Sequence, residues 1–482
     1  MRSKTAMKVK MAGATVAAVV GFVTLMGCDA AVSPAAVAVP DGGPPDQVGK
    51  AGPAETTGPI GTAEQNGDAE QNGDAGQSAP APVADVKPIG CGQVPAQSGL
   101  IMHEWGTFTS VQGSDGSTQD GLQHEEEALP DFVHGRNKLA NHLKMAEGLP
   151  EPCNQKMETP VVYFYTDKPQ DVSLSVQFTN GIISQWFPSV TEMAPKIGAL
   201  KNNSGVYVSG LSGGSVTWKV RVDPALDMAN APKVPADSVW QPSRQTQATP
   251  LHYLGKDTEG QKVDQTERFL FYRGLGRFTL PVQVLNHAKG DMQVVNKSPD
   301  ALPFAVMLKS TSDGKGGLQV LGAIQANSAV SGVLVPANLP LADVVAQTKQ
   351  VLKTGLVQSG LYPDEAQAMV DTWQKSWFAT PGTRLLYVLP QAWTEKLLPL
   401  QMSPAPSERV RTLIGRIESL TQQEESEAQE ALKSSKKLGF SVLASKLDRF
   451  LEPRLHRACA QVDPAVYAAH CAEMLAAALH AK

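Results

Sequence analysis

The beginning of the chain constrains everything after it. Arg2, Lys4, Lys8 and Lys10 form a positively charged start, and residues 11–25 are then apolar apart from Gly and Thr, the pattern of an export signal. Those 15 residues are short for a membrane-spanning helix, which needs roughly 20. From Asp29 to Pro88 the chain is dominated by Ala, Gly, Pro and Gln, with the tandem copies Ala63-Glu-Gln-Asn-Gly-Asp68 and Ala69-Glu-Gln-Asn-Gly-Asp74. Such a composition cannot bury enough apolar surface to offset backbone entropy, so it is expected to be disordered. As a flexible coil it has a root-mean-square reach of roughly 40 to 45 Å. The folded body is expected to begin only after it, in an oxidising, extracytoplasmic compartment.

The apolar segment ends in Leu25-Met26-Gly27-Cys28, which resembles the lipobox of bacterial lipoproteins. The resemblance implies cleavage before Cys28, acylation of that cysteine and permanent anchoring to a membrane, because several acyl chains hold where one alone binds reversibly. Whether the inner or the outer membrane receives it is left open by Asp29. The expected organisation is a signal peptide at 1–27, the lipidated cysteine and tether at 28–90, a β-rich domain at 91–340 and a helical, α+β C-terminal domain at 341–482.

Four cysteines remain: Cys91, Cys153, Cys459 and Cys471. An even number in an oxidising compartment points to disulfides. Of the three connectivities, the grouping along the chain favours Cys91 with Cys153 and Cys459 with Cys471. No C-x-x-C pair suggests structural zinc. The net charge of −5 comes without a cluster of Lys and Arg, so a nucleic-acid partner is not expected.

Between Leu100 and Pro340 the chain reads as strands. Val161 to Tyr165, Val172 to Phe178, Gly214 to Val222, Phe269 to Tyr272 and Gly332 to Val335 are β-branched and aromatic runs bounded by Gly, Asn, Asp and Pro. Sandwich-like sheets are therefore expected, followed by helices, giving a mainly β, α+β fold. After Pro340 a helix opens at Leu361-Tyr-Pro-Asp-Glu, with Ala366, Met369, Val370, Trp373 and Trp377 on one face, and Thr383 to Leu389 reads as a strand. A second helix runs from Leu420, with Glu424, Glu425 and Glu427 early and Lys433, Lys436 and Lys437 late, the order that complements the helix dipole. Gly439 should end it. Pro464 to Leu479 reads as a last, Ala-rich helix.

Chemistry is sparse. His103, Glu104, His124, Glu125, Glu126, Glu127 and His134 crowd into 32 residues, and His103, His124 and His134 with Glu125 are the one candidate set of metal ligands. The spacing matches no defined motif, since the fourth residue after His103 is Thr107 rather than His. On a strand, His103, Trp105 and Thr107 would face one side and Glu104, Gly106 and Phe108 the other. Glu104 and Arg273 are candidates for ligand binding, although Arg273, like Arg268 and Arg277, is more simply read as a partner for an acid such as Glu104 or Glu158. Gly210-Leu-Ser-Gly-Gly214 matches a nucleophile elbow by letter but lies between strand-like flanks and reads as a turn. Ser434-Ser-Lys-Lys437 lies on a charged helix and is an equally empty match.

The stretches Leu100-Ile-Met-His-Glu-Trp-Gly-Thr-Phe-Thr-Ser-Val111, Met157-Glu-Thr-Pro-Val161, Phe269-Leu-Phe-Tyr-Arg-Gly-Leu-Gly276 and Gly382-Thr-Arg-Leu-Leu-Tyr-Val388 resemble an uncharacterised family of exported bacterial proteins, whose most specific mark is H-E-W-G-T-F-T. The resemblance covers about Leu100 to Leu451 and implies a recurring unit, without a catalytic residue, ligand or cofactor. Taken together, these features describe a membrane-anchored envelope lipoprotein that binds another envelope protein or a small ligand. The alternative is a metal-dependent extracytoplasmic hydrolase, for which a divalent metal at the His and Glu cluster would be the cofactor.

Overall fold

The structure is a computed structural model that describes residues 99–122, 128–136, 153–196 and 211–479. Cys28, the tether, Cys91, His124 and Glu125 to Glu127 lie outside the described residues, as does Gly210 of the apparent nucleophile elbow. The fold is mainly β, with a helical C-terminal part.

A ten-stranded sheet forms the centre. Its spatial order is Leu339–Pro340, Lys315–Ile324, Leu302–Ser310, Gly382–Val388, Glu408–Ser419, Ile101–Gln112, Gln155–Tyr165, Leu270–Gly276, Gly181–Phe187 and His134–Gly135. All its pairings are antiparallel except one: Ile101–Gln112 runs parallel to Glu408–Ser419 over its whole length. All twelve residues of Ile101–Gln112 are buried, as expected of a strand covered on both faces. The change of period near Pro340 is thus a change of secondary structure and not of sheet membership. Glu408–Ser419 lies beside the first long strand with Gly382–Val388 next to it, and the described residues from 99 to 479 belong to one compact unit.

The two faces of this sheet carry different layers. One face, with Met102, Phe164, Tyr272 and Tyr387, packs against a six-stranded sheet through Leu174, Val176 and Trp218, and against a three-stranded sheet through Val284 and Val294. In Gln170–Phe178 and Gly214–Val222 burial alternates residue by residue, which is the half-buried pattern their sequences show. The opposite face, with Trp105, Tyr163, Phe271 and Leu386, lies under the helices Leu341–Gln358 and Pro363–Trp373. Ala366, Met369, Val370, Trp373 and Trp377 all turn inward there, so the helical spacing read from the sequence marks the core face.

Four helices, Gln422–Leu438, Phe440–Leu447, Leu451–Gln461 and Pro464–Leu479, close the chain around a separate core of Leu432, Leu443, Leu455 and Met474. Thr421 caps the first of them by accepting from the Glu424 amide, Glu424 returns the bond to the Thr421 amide, and Gly439 ends it with φ +82°. Only a residue without Cβ takes that backbone angle at little cost. Cys459 and Cys471 form a disulfide that joins the last two helices.

Glu425 fastens this helical part to the sheet. Its carboxylate accepts from the Ser114 amide (2.6 Å) and hydroxyl (2.9 Å), from Arg457 Nε (2.7 Å) and from Gln461 (2.9 Å). Burial by itself would raise the Glu425 pKa, but Arg457, the Ser114 amide and Gln461 together hold it below its ordinary value. A depressed carboxyl contributes stability that is complete above the ordinary value of 4.5 and is lost as pH falls through the depressed one. Acid titration followed by hydrogen exchange is expected to release Gln422–Leu438 and Leu451–Gln461 before the sheet, and Glu425→Gln should remove that part of the pH dependence. For the disulfide, Cys459→Ser with Cys471→Ser should lower the stability of the helical part by about 2 to 3 kcal/mol in urea, the amount associated with closing a short loop.

Candidate functional site

The parallel pairing decides where the polar side chains of the H-E-W-G-T-F-T stretch go. It sets Glu104 directly across from Arg411 and His103 across from Val410. Successive side chains leave opposite faces of a strand, so the two residues enter different layers, as their spacing predicts.

Glu104 enters the sheet-on-sheet layer. Its Oε2 accepts from Arg411 Nε at 2.6 Å and its Oε1 from the Tyr272 hydroxyl at 2.5 Å, with all three side chains buried. Arg411 also donates from Nη1 to the Leu398 carbonyl (2.7 Å) and to Glu395 (3.2 Å). Burial alone would lower the Arg411 pKa, but the Glu104 carboxylate beside it raises it above the ordinary arginine value. Burial, and then the same carboxylate, push the Tyr272 phenol well up, so it stays a donor. Both oxygens of Glu104 are therefore occupied from within the fold.

His103 enters the helical layer. Its Nδ1 lies 2.8 Å from Glu365 Oε2, and that oxygen also accepts from the Tyr362 amide at 2.8 Å, while Oε1 accepts from the Tyr165 hydroxyl at 2.6 Å. Glu365 sits in the first turn of Pro363–Trp373, where the helix dipole favours a carboxylate. An ionised Glu365 can only accept, so it selects the tautomer with the proton on Nδ1 and leaves the Nε2 lone pair open. Nε2 has no hydrogen-bond partner and lies 3.8 Å from the half-exposed Glu408. Tyr362 and Tyr165 close over the ring with centroids at 4.4 and 5.5 Å. Burial, and next Glu365, raise the Tyr165 pKa far above the ordinary phenol. Glu365 thus orients the ring between Tyr362 and Tyr165, with Nε2 on the side of Glu408.

A third polar group lies further along the same strands. Glu418 lies across from Arg384 in the ladder and binds it at 3.0 Å, and it binds Arg416 at 2.6 Å. Arg384 also donates to the carbonyls of Trp377, Thr380 and Pro381. The Arg416 guanidinium sits 5.0 Å from the Trp377 ring centroid. Glu158 takes the Thr109 hydroxyl at 2.8 Å and lies 3.4 Å from Lys156 and 3.8 Å from Arg416. Ser376, Trp377 and Phe378, just after the helix Pro363–Trp373, are buried in the core.

Of the proposed metal ligands His103, His124, His134 and Glu125, only His103 and His134 lie among the described residues, and these two stand apart. His134 lies on the far edge strand, four strands from His103, and at the usual strand spacing that is about 19 Å. Its Nε2 is 2.9 Å from both the Ser189 hydroxyl and the Gln265 amide, and its ring stacks on Trp186 and Phe187. Nearness in sequence misled here because the sheet order carries 101 and 134 apart. Among the described residues no group of three His, Cys, Asp or Glu side chains lies close enough to hold a metal ion. Arg273 is buried, but it follows Tyr272 on its strand and so leaves the face opposite to Glu104. The acids that its sequence position suggests as partners, Glu104 and Glu158, lie beside Arg411 and beside Lys156 and Arg416 respectively. Ser212 is exposed and is followed by a strand, not by the helix that a nucleophile elbow requires.

No family model matches the chain, and no curated protein matches it. Among solved structures it is similar to the yeast delta-COP-I mu-homology domain, at 8% identity over 68% of this chain and 98% of that one, with a TM-score of 0.24. A likeness at that level carries no argument about fold or function.

The Glu104 and Arg411 pair makes a quantitative prediction. Removing one member of a buried pair strands the other and costs about 3 to 5 kcal/mol, whereas replacing both with apolar side chains is often near neutral. Glu104→Gln and Arg411→Met are each expected to lower unfolding stability by about 3 kcal/mol or more. The double variant Glu104→Leu with Arg411→Met should lose less than the sum, as read from urea unfolding monitored by tryptophan fluorescence.

Proposed function

We propose that the chain is a membrane-anchored envelope lipoprotein whose body serves as a binding or interaction module. The observation that carries this reading is the run of positive charge, apolar segment and Leu25-Met26-Gly27-Cys28 at the start of the chain, followed by a tether long enough to keep the body near a membrane surface at high local concentration. Among the described residues no helix is long and apolar enough to cross a membrane. Attachment in this reading therefore rests on the acylated cysteine.

A binding role, rather than hydrolysis, is supported by how the charged side chains of the H-E-W-G-T-F-T strand are employed. Glu104 is saturated by Arg411 and Tyr272, and His103 is oriented by Glu365 within an aromatic enclosure. The small apolar cavity between the helix pair and the sheet is lined by uncharged side chains such as Leu352, Met369, Trp373 and Ile414. The proposed compartment also gives a reason for the pairing of Cys91 with Cys153, which peptide mapping without reduction would detect.

Growth with labelled palmitate tests the anchor. The wild-type chain is expected to take up label and to sediment with membranes. Cys28→Ala should take up none and should either keep its signal segment or appear in the soluble fraction. Continued labelling of Cys28→Ala would overturn the lipoprotein reading.

A further inference from the structure

Glu104, Glu158, Glu267, Glu418 and Glu425 are buried acids, and each of them meets an arginine or a lysine. Glu365 is buried as completely but is met differently. Its partners are His103 Nδ1, the Tyr362 amide and the Tyr165 hydroxyl, and the imidazole is the only basic group among them. Two further acids lie at the same place. Asp364 takes the Gln247 amide and the amide of Glu365, and Glu408 has only the His103 ring within ion-pair distance. Three carboxyl groups therefore surround one histidine, and among the described residues no arginine or lysine pairs with any of them.

The histidine leaves one atom unused. His103 is fully buried, and its Nε2 has no hydrogen-bond partner. A buried polar atom left open costs stability and calls for a partner. Glu408 lies two residues before Val410, the residue across from His103, so its side chain leaves the same face of the sheet. Its Oε1 stands 3.8 Å from Nε2, and its side chain is 52% exposed. That separation is too long for a hydrogen bond. It is close to the width spanned by one ion bound to both atoms at about 2.0 to 2.2 Å.

We propose that His103 Nε2 and Glu408 bind a divalent transition metal ion, zinc in the first instance, with water completing its shell on the open side of Glu408. The arrangement behind the ring is the one metal-bound histidines use: the second ring N–H is given to a carboxylate, which fixes the tautomer and makes the free nitrogen a better donor. Imidazole with carboxylate suits zinc, and the ion supplies the positive charge that the three acids lack. The His252 and Asp264 pair and the His287 and Asp291 pair are different, because there ring nitrogen and acid are already joined at 2.7 Å. Two protein ligands make an open, reversible site and not a closed structural one. The proposal is independent of the membrane anchor.

Equilibrium dialysis of the full chain in a mild non-ionic detergent against zinc chloride, with bound metal measured by elemental analysis, tests it. The wild-type chain is expected to hold a zinc ion that His103→Gln does not hold. Glu408→Gln should raise the zinc concentration for half-saturation at least about tenfold, and Glu365→Gln, which touches no metal, by about 10- to 100-fold through the orientation of the ring. His252→Gln with His287→Gln should leave this binding unchanged. A wild-type chain without zinc, full binding in His103→Gln, or loss of the zinc in the His252 and His287 variant would each overturn the proposal. Should His103→Gln fail to fold, Glu408→Gln decides alone, since it alters a half-exposed side chain at a strand end, and an unchanged affinity there counts against the site.

Discussion

The parallel pairing of Ile101–Gln112 with Glu408–Ser419 is the constraint on which the rest of the body depends. Every other pairing among the described strands is antiparallel, so this contact is where two antiparallel halves of the large sheet join. One half carries the strands from 302 to 388 and the other those from 134 to 276. A one-residue slip in this ladder would exchange the faces of all twelve side chains of the first strand. It would also drive Glu104 into the helical layer, where Arg411 and Tyr272 are absent, and His103 into the sheet layer, away from Glu365. The ion pair therefore fixes the register in addition to any stability it supplies, a role for which buried polar pairs are better suited than for net energy.

The same strand shows why buried charge is tolerated here. Glu104 and Glu418 are each met by a guanidinium placed directly opposite in a ladder: Arg411 by the parallel register, Arg384 by the antiparallel one. Ladder geometry presets these meetings, so little side-chain freedom remains to be lost when they form. Glu365 is different, because it reaches the sheet from the first turn of a helix. There it satisfies the Tyr362 amide of its own helix start as well as His103 and Tyr165. A single carboxylate thus caps the start of the helix, orients a histidine and docks one layer on another.

What the sequence made legible follows from how local the signal is. Gln422–Leu438 announces itself through ordered charges and Gly439, all within 20 residues. Gln170–Phe178 does so through strict alternation. The helix Leu341–Gln358 and the strand Glu408–Ser419 were harder to read. The strand carries Glu408, Arg409, Arg411, Arg416 and Glu418, a composition that reads as solvated until the partner strands that neutralise it are known. The separation of His103 from His134 has the same cause. His103 and His134 are close in sequence, but the chain leaves the centre of the sheet between them, while the true partners of Glu104 and His103 lie 307 and 262 residues away. Nothing in a single sequence reports pairings at that separation.

That separation also bears on how the body can form. Gln155–Tyr165 is the nearest long strand in sequence to Ile101–Gln112 and can pair with it before the distant one, since the entropy of loop closure grows with loop length. Yet a sheet assembled only from the first strands would bury Glu104 against Tyr272 with no cation beside it, and an isolated buried carboxylate is costly. The long-range ladder brings Arg411 and removes that cost in the same step that joins the two halves. Early pairings are consequently held below the stability of the finished sheet until residues near 411 arrive, and the central charge makes completion of the fold cooperative across more than 300 residues.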